Sequence, residues 1–285
     1  MTAVLTIAGY GFREAVRRKV FAVVIVLTAC FLALFWLANH YVFTRLSTIT
    51  PPADVNVDTR TFAGAFLLGL AMFATLFLGV VLAVFLTLGV VSGDAERGLL
   101  QPLVVRPVGR STLLISRFLG ASAICVAYVL GVYFAATAIT GLTGHWWPDV
   151  LVWPGVELAG GVVIVIAISL LGSVVLSSTA NGIFVFMLFG GGLVAGLLGS
   201  IGHALNSHAI KHASTIASWA LPFEALYQDG LRELTSKTTG ITGFLLELGP
   251  FGGGYTGGAT LRIWAAVYLL LIGAVAAIGF ARRDL

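Results

Sequence analysis

Long apolar runs broken by short polar stretches set the pattern of this chain. Six runs stand out, at roughly 20–43, 62–91, 113–142, 156–176, 183–202 and 261–280. A stretch of about 20 apolar residues crosses the hydrocarbon core as a helix, and lipid tolerates only helices or closed barrels. The runs are continuous rather than alternating, which selects helices. The pattern therefore predicts an all-α membrane protein: one transmembrane domain over 1–285 with six spans. Composition agrees. The 285 residues are 59% hydrophobic and 10% charged, against about 25% charged in soluble domains, and the mean hydropathy is +1.02.

The segments between the runs differ in character. Residues 1–19 read as an amphipathic interfacial helix, with Leu5, Gly9, Phe12 and Val16 on one side and Arg13, Glu14, Arg17 and Arg18 on the other. The alternative, a signal peptide with a lipoprotein-like box at Leu27–Cys30, is disfavoured because the chain continues apolar past Cys30. The 62–91 run is longer than one crossing requires, so it tilts, kinks or projects toward the polar stretch 92–112. From Leu158 to Gly202 there is no charge, and the turn-like Ser177–Gly182 divides this stretch into two spans. Residues 203–260 form the largest segment outside the spans. Within it Pro222–Leu234 has helical character, with Phe223, Leu226, Tyr227, Leu231 and Leu234 on one face. It is expected to lie on the outer membrane surface or to cap the pathway.

Charge sets the orientation. With both termini inside, ten of the 16 Lys and Arg fall inside, the clearest being Arg13, Arg17, Arg18, Lys19, Arg282 and Arg283. The expected location is the cell membrane, multi-pass, with cytoplasmic termini. The basic residues flank spans rather than forming an aromatic-interleaved patch, so no nucleic-acid partner is expected. Cys30 and Cys125 both sit in apolar runs and imply no disulfide framework.

Candidate chemistry is sparse. Arg117, Glu157 and Arg262 lie at span ends and no ionisable residue lies mid-span, which weighs against a proton- or sodium-coupled transporter. GPFGGGYTGG at 249–258 lacks the Gly-Lys-Ser/Thr ending of a phosphate-binding loop. No catalytic motif and no metal site are assigned. His203, His208 and His212 cluster without a Cys or a near carboxylate, and His40 and His145-Trp146-Trp147 read as interfacial anchors. Gly192, Gly196 and Gly199 make a small-residue face suited either to packing within the chain or to a dimer seam.

The most informative stretch is Ser92–Thr112. Its Ser92-x-Asp94-x-Glu96-x-Gly98, followed by Leu100, Leu103, Arg106-Pro107-Val108, Arg110 and Leu113-Leu114, resembles the loop of ABC-2 type permeases, the membrane subunits of ATP-binding-cassette exporters. The branch that serves nitrous oxide reductase maturation looks nearest. Leu99 stands where the family usually has Thr, Gly109 where Ser is common, and Gln101-Pro102 interrupts the Leu-rich turn. The resemblance implies a type V exporter-like architecture, pairing with a second copy or a sister permease, and docking of cytoplasmic ABC ATPase subunits on this loop. It makes Asp94, Glu96, Gly98, Arg106, Pro107 and Arg110 the coupling candidates. ATP and Mg would then be bound by the partner ATPase, with no cofactor in this chain. The alternatives are a self-contained channel or facilitator, or a membrane assembly subunit using the 203–260 segment.

Overall fold

The computed structural model describes residues 19–46, 58–88, 110–205, 207–238, 242 and 257–281. They form eight helices and, among the described residues, no strand. The helices are α1 (Lys19–Leu46), α2 (Thr59–Thr87), α3 (Arg110–Gly144), α4 (Trp153–Val175), α5 (Ser178–Ala204), α6 (His208–Ala220), α7 (Pro222–Glu233) and α8 (Gly258–Ala281). Six of them, α1 to α5 and α8, are long and apolar enough to span a membrane.

Local chemistry fixes several ends. Asp58 caps α2: its Oδ1 accepts from the Arg60 and Thr61 amides, both at 3.1 Å, and its Oδ2 from the Thr61 hydroxyl at 2.6 Å. These bonds, led by the Thr61 hydroxyl, hold the Asp58 carboxyl below its usual pKa. Pro154 opens α4 at its first turn, where a missing amide proton costs nothing. The α3 helix stops where His145 turns to φ 51°, a conformation that His adopts more readily than most residues.

Two boundaries differ from the sequence expectation. The α2 helix ends at Thr87, with Leu88 already extended, rather than running to Val91. The break between α4 and α5 is only Leu176–Ser177, so Asn181 and Gly182 sit inside the first turns of α5. The amide of Asn181 bonds the Ser177 carbonyl at 2.9 Å, continuing helix where a turn was expected.

The centre of the bundle is α2 and α4, whose spans are mostly buried, while α1, α5 and α8 expose most of theirs. Leu68, Leu76, Val80, Leu158 and Ile166 are almost fully enclosed. The outward side chains of α1, α5 and α8, such as Val26, Leu34, Met187, Leu270 and Val275, are large and apolar, as a lipid-facing surface requires. Spans consecutive in sequence run antiparallel, so α1 lies parallel to α3, and α2 to α4. At one end, the ring of Trp146 covers Gly64 of α2 and Phe43 of α1 covers Gly144 of α3; at the other, Asn181 of α5 sits on Gly172 of α4. The first end is rich in tryptophan, with Trp146, Trp147 and Trp153. Trp147 and Trp153 are exposed, but Trp146 is buried against Gly64, so it is a packing residue and not an interfacial anchor.

The largest departure concerns 208–233. Helix α7 does not lie on the outer surface but is enclosed along Pro222–Leu231, while α6 buries only Ser218. They form a re-entrant hairpin that descends beside α5 and returns beside α4. On the way down, Ile210 packs on Gly202, Ser214 on Gly199 and Leu221 on Gly192. On the way back, Phe223 meets Gly161, Leu226 meets Gly160, and Gly230 meets Glu157 and Pro154. The apex is held by rings from three elements, Phe77 tilted against Phe189 at 6.4 Å and Phe189 stacked on Phe223 at 5.8 Å. The apolar face read from sequence is buried, but so are Glu224, Gln228 and Asp229 on the other side of α7. Hydrophobic periodicity shows which face seeks a core; it cannot show that the polar face is enclosed as well.

Candidate functional site

Inserting α7 into the bundle brings acidic side chains into an apolar setting, and a cluster forms to accommodate them. Glu157 from the first turn of α4, Asp229 and Glu233 from the returning α7, and Arg262 from the first turns of α8 converge near the tryptophan-rich end. Arg262 Nε donates to Glu157 Oε1 at 2.7 Å, and its Nη2 lies 2.7 Å from the same oxygen and 3.6 Å from Asp229 Oδ2. Nη2 also donates to Glu233 Oε1. The guanidinium stacks on Trp153, 4.8 Å from the ring centre, which holds its plane and shields one face. Glu157 is 3% exposed and Asp229 4%. Buried charge is tolerated only when paired, and here one cation serves three carboxylates. Burial raises the pKa of Glu233, and Arg262 offsets part of that shift. Glu157 Oε2, Asp229 Oδ2 and Glu233 Oε2 have no hydrogen-bond donor among the described residues.

Ligand atoms from Glu157, Asp229 and Glu233 lie within 4.8 Å of one another, close enough to hold a metal ion. Three carboxylate oxygens are the donor set of a hard cation. Arg262 already contacts all three, so the cluster acts as an ion-pair clamp joining α4, α7 and α8. The sequence placed Glu157 and Arg262 correctly at span ends, yet gave no signal that they meet: their partners come from separate elements far along the chain.

A second buried carboxylate lies deeper. Glu224, 2% exposed, accepts from Gln228 Nε2 at 2.9 Å, and its Oε1 occupies the space a side chain on Gly196 would need.

The predicted small-residue face resolves into three seats for the hairpin. Phe223 lies 2.6 Å from where a Gly192 methyl would stand, Glu224 faces Gly196, and Ser214 faces Gly199. All three contacts are within the chain. The coupling candidates Asp94, Glu96, Gly98, Arg106 and Pro107 lie outside the described residues, as do residues 1–18; Arg110 opens α3. His208 and His212 are exposed on α6 and are not among the clustered ligand residues Glu157, Asp229 and Glu233.

A six-span helical bundle that encloses a re-entrant hairpin is the architecture of a multi-pass membrane protein. Residues 5–285 match the family described as ABC-2 family transporter protein. The chain belongs to that family and is a permease subunit of an ABC transporter, a multi-pass membrane protein whose family works with ABC ATPase subunits. No curated protein matches the chain.

Proposed function

We propose that this chain forms the translocation pathway of an ABC exporter and is driven by separate cytoplasmic ATPase subunits that dock on the segment 92–112. The family match over 5–285 carries this reading. The Asp94-x-Glu96-x-Gly98 and Arg106-Pro107 pattern supports the docking site, as does its place in the chain between α2, one of the two central spans, and α3. With no nucleotide-binding motif in the sequence, ATP and Mg are bound by the partner. Two permease copies, or this chain and a sister permease, complete the unit in the cell membrane, with the termini and 92–112 on the cytoplasmic side.

The test is co-purification with a candidate ATPase and measurement of ATP hydrolysis in nanodiscs. A stable complex is expected, and Glu96→Lys should weaken its response to the permease without lowering the amount of folded permease. A chain that supports flux alone in proteoliposomes, with no ATPase bound, would replace this reading with a self-contained channel.

A further inference from the structure

At the end of the bundle opposite the tryptophans, three polar side chains from three spans meet in an otherwise apolar interior. Thr87 is the last helical residue of α2, Ser169 lies in the final turns of α4, and Asn181 in the first turns of α5. Their exposures are 1%, 0% and 0%. Thr87 Oγ1 and Ser169 Oγ are 2.6 Å apart. Asn181 Nδ2 donates to the Ser169 carbonyl at 2.9 Å and approaches Ser169 Oγ at 3.5 Å. The amide head of Asn181 sits on Gly172, in the space a side chain there would fill.

Proton bookkeeping gives this chain a direction. Thr87 Oγ1 has one proton, and its own helix offers the Ala83 and Val84 carbonyls at 2.8 and 3.0 Å. When Thr87 donates inward, Ser169 donates to Thr87, and Asn181 donates to the Ser169 carbonyl. Every hydroxyl proton is then used, and Asn181 Oδ1 remains buried without a donor. Such interhelical bonds are individually weak in a membrane bundle, so they add little to stability. They do fix the register of one helix against another, since a slip strands polar atoms in an apolar interior.

The position matters more than the strength. Leu88, the residue after Thr87, already leaves the helix, and the proposed docking segment follows it in sequence. Leu88 also packs on Gly182 of α5, 3.5 Å from where a methyl would stand. We propose that Thr87, Ser169 and Asn181 are positioning residues that carry movement of the 92–112 segment from α2 into the α4–α5 pair, which also seats the re-entrant hairpin. This rests on the reading that the segment receives force from an ATPase.

The test uses the full chain in complex with its ATPase in nanodiscs, with Cys30→Ser and a reporter Ser177→Cys in the exposed α4–α5 turn. The rate of maleimide labelling is compared without nucleotide and with ATP plus vanadate. Thr87→Val and Ser169→Ala should each reduce the nucleotide-dependent change roughly threefold, the scale of one interhelical hydrogen bond, while the ATPase stays bound. Thr87→Ser should retain the response. So should Thr75→Val, which removes a buried hydroxyl bonded only to the Ala71 carbonyl of its own helix at 2.7 Å. If Thr87→Val and Ser169→Ala respond as the parent does, the proposal is overturned and the docking reading survives. If the parent binds no ATPase or shows no nucleotide response, both fall together.

Discussion

Removing the cation from the carboxylate clamp is the most direct probe of how the hairpin is held. Arg262→Gln leaves Glu157, Asp229 and Glu233 facing one another, two of them at 3% and 4% exposure. Breaking one side of a buried ion pair costs about 3–5 kcal/mol, because the remaining charge is left uncompensated. The Arg262 side chain is itself 29% exposed, so water reaches part of the site and the lower limit, about 3 kcal/mol, applies. In a chain of this size about 3 kcal/mol lowers the Tm by roughly 5 °C. Thermal unfolding of detergent-purified protein, followed by fluorescence-detected size exclusion, reads this directly. The deficit should shrink as pH falls, because Glu233, already raised above the usual carboxylate range by burial, can take up a proton and relieve the repulsion. Pairing Arg262→Gln with Glu157→Gln removes one unmatched charge and should recover a large part of the loss, the signature of a coupled pair. An Arg262→Gln protein that melts with the parent at neutral pH, or a double variant no better than the single, would refute the clamp.

Two further perturbations address the seats of the hairpin. Gly196→Ala places a methyl on Glu224 Oε1 and should destabilise by about 2 kcal/mol, the usual cost of overpacking; Gly190→Ala on the same helix meets nothing within 4 Å and should melt like the parent. Glu224→Ala empties the space beside Gly196 and leaves Gln228 Nε2 without its acceptor; a loss of about 1–3 kcal/mol is expected in the same melting assay, and a variant that melts with the parent would remove Glu224 from the seat.

The spans were legible because a bilayer leaves few options. A long apolar run must be a helix, and each of the six predicted runs is matched by a helix to within a few residues at either end. The errors fell where short polar chemistry decides the outcome. Ser177–Gly182 reads as a turn by composition, but Asn181 finds the Ser169 carbonyl of α4 and so can stay helical in a site where an unpartnered amide would be costly. Trp146 reads as an interface anchor beside Trp147, yet the absent side chain of Gly64 makes a slot for its ring. In both cases the deciding partner lies on another helix, and a single sequence does not carry that pairing.

The hairpin shows the same limit on a larger scale and links it to function. Its two helices, of 13 and 12 residues, span at about 1.5 Å per residue only some 20 Å each, too short to cross and long enough to enter and return. Entry needs room and charge neutralisation. Room comes from Gly160 and Gly161 on α4 and from Gly192, Gly196, Gly199 and Gly202 on α5; neutralisation comes from Arg262 on α8. Each element was visible in the sequence as an isolated oddity: a glycine stripe, an acidic helix, a charge at a span end. They explain one another only once α7 lies between α4 and α5. The consequence is mechanical. The hairpin touches α4 along its return and α5 along its descent, so a relative movement of those two spans must either carry it or break its seats. A displacement introduced at Thr87 through Ser169 and Asn181 at one end of the bundle would thus reach the carboxylate clamp at the other through the same pair of helices.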